Sequence, residues 1–164
     1  MMTRLASCVV AILVVALALL AVPAVAHQAA GVTVTAAAKG TFPSGTTYKG
    51  VPLSGLRFGA GVEIPGDTSA TGEFEATLLG TSTSGQPQNI VVEGEVSSGS
   101  AGNGTATFSG TCSVDMGDGT PLSKGVPFTA TITPDAQGKG TIVLKLGGTN
   151  LPTGPVNEGS MTIQ

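Results

Sequence analysis

The feature that most constrains this chain is a repeated alternation of apolar and polar residues, seen most clearly from Leu56 onward. Successive side chains of a β-strand point to opposite faces of a sheet, so a period of two indicates a strand with one buried and one solvated face. No stretch beyond the first 26 residues has the periodicity of an amphipathic helix. In the clearest example the apolar positions are Leu56, Phe58, Ala60, Val62 and Ile64.

About eight segments of this kind follow one another, separated by turns that contain Gly, Pro, Asn or Asp. Short strands at even spacing, each with a single apolar face, are typical of sandwiches and barrels. The pattern predicts an all-β fold, an antiparallel β-sandwich of about eight strands, with a closed eight-stranded β-barrel as the alternative. Residues 39–55 are expected to form a loop with at most a short strand near Tyr48.

The interior is expected to contain the apolar residues of these segments, among them four of the five phenylalanines. In chain order the expected core residues beyond the first example include Phe74, Ala76, Leu78, Ile90, Val92, Val96, Ala106, Phe108, Gly110, Cys112, Val114, Val126, Phe128, Ala130, Ile132, Ile142, Leu144, Leu146, Met161 and Ile163.

The first 26 residues have the composition of an export signal. A short positive start precedes an uncharged apolar run over residues 5–22, and an Ala-Val-Ala pattern that signal peptidases cleave ends at Ala26. We therefore expect a signal peptide with a signal helix over residues 1–26 and cleavage between Ala26 and His27. A single all-β domain is expected over residues 27–164.

An uncleaved membrane anchor is the main alternative, because a spanning helix needs about 20 apolar residues. Pro23 and the sudden change to a Thr- and Gly-rich composition favour cleavage. The expected location is extracellular or periplasmic, with no membrane association after cleavage.

The charge and the cysteines narrow the class of protein further. Seven Lys and Arg against ten Asp and Glu give a formal charge of −3, which argues against a nucleic-acid partner. Cleavage would remove Cys8 and leave Cys112 without a partner for a disulfide within the chain. Cys112 lies on the apolar phase of its segment, so we expect a small buried side chain.

Five of the ten acidic residues lie on the polar phase of three consecutive segments. Facing side chains on paired strands are about 5 Å apart, where like charges repel, so water and salt, a cation or a functional requirement must compensate. Arg57 on the same face is expected to relieve part of the repulsion. The expected facing pairs are Glu63 with Glu73, Glu73 with Glu95, and Glu75 with Glu93.

Glu73, Glu75, Glu93 and Glu95 are therefore the candidates for a metal site. Calcium is the expected cation, because it binds carboxylate oxygens. Two carboxyls at this separation also suit a retaining glycosidase, but sugar sites usually carry aromatic platforms and this chain has no Trp. A solvated acidic face is the interpretation that we favour.

His27 is a second candidate, since a histidine at a mature N-terminus can chelate copper through its amine and its ring. Such sites need a further histidine, and His27 is the only one in the sequence. A terminus without a metal is the expectation.

The segment Asp115-Met116-Gly117-Asp118-Gly119-Thr120 departs from the helix-loop-helix calcium pattern, because it lacks the acid at the third position and the downstream Glu. It resembles the Asp-x-Gly-Asp-Gly-Thr hairpin of PKD domains, which are Ig-like modules of secreted and cell-surface proteins. Val114 stands where that family usually has a Trp. A tight turn at Asp118-Gly119 is the favoured interpretation.

Two polar features complete the sequence. Asn103-Gly104-Thr105 is a glycosylation sequon in a predicted turn, and pairs of outward threonines recur, as at Thr105/Thr107 and Thr129/Thr131. We interpret these threonines as polar residues that favour strands.

The sequence contains no Ser/His/Asp constellation and no phosphate-binding Gly loop before a helix. We therefore expect a secreted, non-enzymatic domain without a cofactor that has a binding, adhesion or extracellular structural role. Its partner would be an extracellular or cell-envelope component. A carbohydrate-active or carbohydrate-binding module that uses the acidic face, and a calcium-stabilised module, are the alternatives.

Overall fold

The computed structural model describes residues 31–66 and 68–164, and this part contains ten strands and no helix. The predicted signal helix, the cleavage position at Ala26 and the copper candidate His27 lie outside the described residues. In chain order the strands are β1 (Val32–Thr41), β2 (Thr47–Tyr48), β3 (Val51–Ile64), β4 (Ser69–Gly80), β5 (Ile90–Gly102), β6 (Thr105–Asp115), β7 (Ser123–Thr133), β8 (Gly140–Leu146), β9 (Thr149–Asn150) and β10 (Gly154–Ile163).

The eight long strands form a meander in which each pairs antiparallel with the next long strand. Strand β1 pairs with β3 on one side and with β10 on the other, so the hydrogen bonding returns to its starting strand and forms a ring. The β8–β10 pairing is short, with three residue pairs, whereas β1 and β3 pair along ten. The predicted antiparallel all-β fold with about eight strands is confirmed.

Side chains from all eight long strands meet in one buried cluster. Phe74 on β4 stacks on Phe128 of β7, with ring centroids 5.3 Å apart, and lies 5.8 Å from Phe108 of β6. Gly94 on β5 makes room for this stack, because a Cβ there would lie 2.7 Å from Cε1 of Phe128. The four phenylalanines predicted to face inward are all buried, as the alternation requires.

The structure corrects the limits of several predicted elements. Residues 39–41 and 51–55 belong to β1 and β3 and not to a loop, although the short strand near Tyr48 is present. Val126 and Ile163 are half-buried against the core instead of fully enclosed. Both lie near a strand end, where fewer neighbouring strands cover a side chain.

The connection between β1 and β3 adds buried side chains to the core, among them Phe42 and Tyr48. Tyr48 in this connection is 1% exposed, and its hydroxyl has no hydrogen-bond partner in the described part of the chain. Leaving such a group unsatisfied costs about 1–3 kcal/mol. The neighbouring Thr46 is also buried, and its hydroxyl donates to the carbonyl of Pro43 at 2.8 Å.

Candidate functional site

The strand register brings the predicted carboxylates together. On the outer face of β4 and β5, Glu73 lies directly opposite Glu95, and Glu75 lies directly opposite Glu93. Both pairings were predicted from the alternation and are confirmed. The side chains of directly opposed residues have Cβ atoms about 4.5–5.5 Å apart. We call these four residues the acidic quartet.

The predicted pairing of Glu63 with Glu73 is wrong. Glu63 faces Thr71, and Glu73 faces Gly61. The β3–β4 turn is shorter than expected, since β4 already begins at Ser69, so the register is displaced by two residues. Glu63 therefore lies on the same face as the quartet but outside its pairs.

Glycines beside the quartet leave the outer surface hollow. Gly59 and Gly61 on β3 face Glu75 and Glu73, and a Cβ on Gly61 would meet no atom within 4 Å. A depression of about 540 Å³ is lined by the quartet together with Thr111, Ser113 and Lys124, and two smaller ones of about 200 and 210 Å³ adjoin it. Glu75 lines all three, and we call these adjoining depressions together the acidic groove.

The carboxylates of the groove are exposed and lack a cationic partner. Within residues 31–66 and 68–164 none of the four forms a hydrogen bond or an ion pair. Lys124 and Arg57 are among the residues that line the groove, but the one ion pair among the described residues joins Lys39 to Glu158 at 2.9 Å. Arg57 lies on this face beside Glu75 and Glu93 without an ion pair to either, and the expected partial relief of the repulsion stays a prediction.

The Lys39–Glu158 pair shows what a compensated carboxylate looks like in this fold. The hydrogen bond from the Lys39 ammonium lowers the pKa of Glu158, with further contributions from the charges of Arg57 and Lys139. The pair links β1 to β10, whose residues 39 and 158 are directly opposed. It lies outside the acidic groove.

Two observations bear on the metal and sugar alternatives. In the described part of the chain, no group of three or more His, Cys, Asp or Glu is arranged to hold a metal ion. Sugar-binding sites usually present aromatic rings, and all five phenylalanines and the single tyrosine are buried here. No exposed ring is therefore available to stack on a sugar.

The Asp115–Thr120 segment forms turns, but the connection is wider than the predicted hairpin. Strand β6 ends at Asp115 and β7 begins at Ser123. Asp115 accepts a hydrogen bond from the backbone N–H of Gly117, and Asp118 accepts from both the hydroxyl and the backbone N–H of Thr120. These Thr120 hydrogen bonds lower the pKa of Asp118. The two carboxylates are thus occupied in local turns.

Cys112 is buried and free, as predicted, and its thiol donates to the carbonyl oxygen of Val126 at 3.2 Å. Burial raises the pKa of this thiol to about 11. A protonated, enclosed thiol of this kind is a poor nucleophile.

Sequence reasoning missed one surface, a set of hydroxyl pairs across β5, β6 and β7. The sequence indicates only that these threonines favour strands, whereas the register places them opposite one another. Alternation assigns a face to each residue, whereas only the register shows which hydroxyls meet. The pairs are Ser98 with Ser109 at 2.8 Å, Thr105 with Thr133 at 3.1 Å and Thr107 with Thr131 at 3.0 Å.

Comparison of the chain with protein-family models, with curated proteins and with solved structures finds no match in any of the three. Over residues 31–66 and 68–164, the chain forms no helix of the length and apolarity needed to cross a membrane.

Proposed function

We propose that this chain is exported and that its all-β domain is a non-enzymatic binding domain whose acidic groove takes a positively charged partner segment. The observation that carries the proposal is the facing of Glu73 with Glu95 and of Glu75 with Glu93 beside an open depression. The exported location rests on the composition of residues 1–26.

The physical argument is one of uncompensated charge. Like charges directly opposite one another destabilise a sheet, and four exposed carboxylates here have no partner among the described residues. A cationic segment in the groove would remove that repulsion and form charge-assisted hydrogen bonds. A concave surface whose charges are mostly negative, as four carboxylates beside Lys124 and Arg57 make this one, also concentrates cationic ligands.

A carbohydrate-active role is less well supported. A retaining glycosidase places two carboxyls about 5–5.5 Å apart, which the facing pairs could approach. The general acid of such an enzyme usually lies in a buried, apolar pocket, whereas the quartet is exposed. The burial of every aromatic ring removes the usual platform for a sugar.

The test is the binding of a lysine-rich peptide to residues 27–164, measured by calorimetry at low salt. We expect binding that weakens with added salt and falls by about tenfold or more when the quartet is replaced in E73Q/E75Q/E93Q/E95Q. The matched control D115N/D118N/D135N/E158Q removes the same number of charges elsewhere while keeping the side-chain acceptors of the turns. It should retain most of the binding.

Two results would reject the proposal. Equal losses in both variants would show that net charge and not the groove attracts the peptide. Alternatively, calcium could raise the melting temperature of the unmodified domain but not of the quartet variant, while the peptide fails to bind. Calcium would then be the ligand, because a ligand of the folded state stabilises it.

We also infer that the ring of strands is a closed barrel and not a sandwich of two sheets. Continuous pairing from β1 through β10 and a single interior cluster support this inference. Slow hydrogen exchange is expected at the seam where Gly154 pairs with Ile142. Rapid exchange there, with protection of the other pairings, would favour an open sandwich.

The intact mass of the exported protein is expected to correspond to a chain that begins at His27, and retention of residues 1–26 would favour the anchor.

A further inference from the structure

The turn between β5 and β6 consists of two residues, Asn103 and Gly104, and both have a positive φ. The values are 53° at Asn103 and 73° at Gly104. The flanking residues Gly102 and Thr105 are directly opposed in the sheet. A pair of positive φ angles in a two-residue loop is the tight hairpin turn that Asn-Gly favours. Asn103 therefore lies at the exposed tip of a long hairpin.

The backbone N–H of Gly104 is unbonded and uncrowded. It makes no hydrogen bond within the described part of the chain, and neither does the side-chain amide of Asn103. A Cβ on Gly104 or on Gly102 would meet no atom within 4 Å apart from its chain neighbours. The peptide plane between Asn103 and Gly104 can therefore turn, and its nitrogen can approach Cγ of Asn103, without a clash with the rest of the fold.

Two other asparagines are followed by a nitrogen that is not available in this way. The N–H after Asn150 belongs to Leu151, and it donates to the carbonyl of Leu144 at 2.9 Å. Asn89 precedes Ile90, a fully buried residue whose β-branched side chain crowds its own backbone nitrogen. We expect both asparagines to stay unmodified in the folded protein.

Two further sites are restrained through their side chains. The side-chain amide of Asn157 donates to the hydroxyl of Thr41 at 3.4 Å. Asp118 is followed by Gly119, but its carboxylate accepts from the hydroxyl and the backbone N–H of Thr120 at 2.6 and 3.0 Å. These hydrogen bonds must break before the carboxyl can turn towards the Gly119 nitrogen. The tip of the β5–β6 hairpin combines an unbonded side-chain amide, a following glycine and open space.

We propose that Asn103 is a site of spontaneous covalent modification, at which water converts the side-chain amide to a carboxylate through a cyclic succinimide. Asparagine is among the thermolabile residues of proteins. The Gly104 nitrogen loses its proton to base and attacks Cγ of Asn103, and the side-chain nitrogen leaves as ammonia with a proton from water. Water then opens the ring, at Cγ to give aspartate or at the backbone carbonyl to give isoaspartate. The whole change consumes water and releases ammonia.

The isoaspartate product alters the hairpin more than the aspartate product does. Its backbone runs through the former side chain, so the turn gains an extra carbon and loses the geometry that closes a two-residue loop. We expect Thr105, the first residue of β6, to lose its alignment with Gly102. The Thr105 hydroxyl, which lies 3.1 Å from that of Thr133, should then separate from it.

The experiment is incubation of the purified protein in mildly alkaline buffer made with heavy-oxygen water, followed by intact mass and peptide mapping. We expect the labelled oxygen to enter at Asn103 at least about tenfold faster than at any other asparagine, since only a following glycine leaves the attacking nitrogen unhindered. Gly104→Ala places a Cβ beside that nitrogen and should slow the reaction by about tenfold. Asn103→Gln lengthens the side chain and should abolish it.

Gly102→Ala is the matched control, because Gly102 flanks Asn103 on the other side, has the same open space and does not supply the attacking nitrogen. Its reaction rate should equal that of the unmodified protein. Equal slowing by Gly102→Ala and Gly104→Ala would overturn the proposal. A synthetic peptide of residues 100–107 that reacts while the folded protein does not would overturn it too, since the turn would then protect the amide. So would a glycan on Asn103 of the exported protein, because the sugar occupies the nitrogen that has to leave.

Asn103→Asp separates the new charge from the altered backbone. Hydrogen exchange at the Thr105 amide should be unchanged in this variant and about tenfold faster in the isoaspartate form, which ion exchange isolates from the incubated protein. Equal exchange in the two proteins would contradict the expected opening of the turn.

Discussion

The outer faces of β4–β5 and of β6–β7 belong to the same ring but carry opposite kinds of cross-strand pair. On the first, Glu75 faces Glu93 and neither has a partner of opposite charge among the described residues. On the second, Thr107 faces Thr131, and their hydroxyls are hydrogen-bonded at 3.0 Å. The hydroxyl pairs satisfy each other, whereas the carboxylate pairs oppose each other.

The inner faces of the two regions are alike, and this is what the comparison teaches. Phe74 on the acidic side and Phe128 on the hydroxyl side stack in one interior. The core therefore carries the stability, and the outer face is free to hold an arrangement that costs energy. An energetically unfavourable surface on a well-packed fold is where a binding role is best sought.

The largest expected effect tests whether the two regions share one core. Phe74→Ala should lower the free energy of unfolding by about 3–5 kcal/mol in a single transition, because the fully buried ring contacts both sides. Denaturant unfolding followed by two probes measures this. Leu122→Ala, at a side chain that is 46% exposed, should change stability little. Two separate transitions would break the comparison, since the regions would then fold independently.

The second prediction concerns the contact between the regions, where Cys112 of β6 faces Gly94 of β5. The pKa of Cys112 is raised from 9.0 to about 11, so the folded state keeps a proton that the unfolded state loses. The stabilisation that this retained proton gives the folded state is complete below about pH 9. It is lost as the pH rises towards about 11, so the free energy of unfolding falls by about 2–3 kcal/mol. The free energy of unfolding, measured at both pH values, should fall less for Cys112→Ala than for the unmodified protein. Identical pH dependence in both proteins would contradict the burial of the thiol.

Double-mutant cycles sharpen the comparison directly. The two single variants Glu75→Gln and Glu93→Gln and the double variant measure the interaction energy between the two carboxylates. This interaction should be unfavourable in the native protein, by about 0.2–1 kcal/mol. The pair Thr107→Val and Thr131→Val should give a favourable one of similar size. Glu75→Gln combined with Thr131→Val should be additive, as the residues do not touch. Interaction energies of the same sign in both cycles would remove the distinction.

The smallest expected effect is that of salt. Added sodium chloride should stabilise the unmodified domain relative to E73Q/E75Q/E93Q/E95Q by a few tenths of a kcal/mol, at about 1 M, because it screens the facing carboxylates. Parallel urea titrations at low and high salt measure the difference. An equal response of the two proteins would show that the carboxylates already avoid one another by turning into solvent.

The acidic quartet was predictable because two local signals agreed. Alternation placed the glutamates of β4 and β5 on the outer face, and the polar connector between them set a register that the structure confirms. The same reasoning failed for Glu63, where the β3–β4 turn closes two residues earlier than its composition indicated. A two-residue error keeps the face and changes the partner, so face assignments were safer than pairings.

The sequence by itself determined which side chains face the interior, because a period of two depends only on neighbours along the chain. It also determined the Asn103-Gly104 turn, where both residues adopt the positive φ that Asn and Gly tolerate. Only the tertiary structure decided that β1 pairs with β10, that the hydroxyls meet across strands, and that Tyr48 is enclosed with no partner for its hydroxyl among the described residues. These contacts join residues far apart in the chain, and local alternation carries no information about which distant strand supplies the partner.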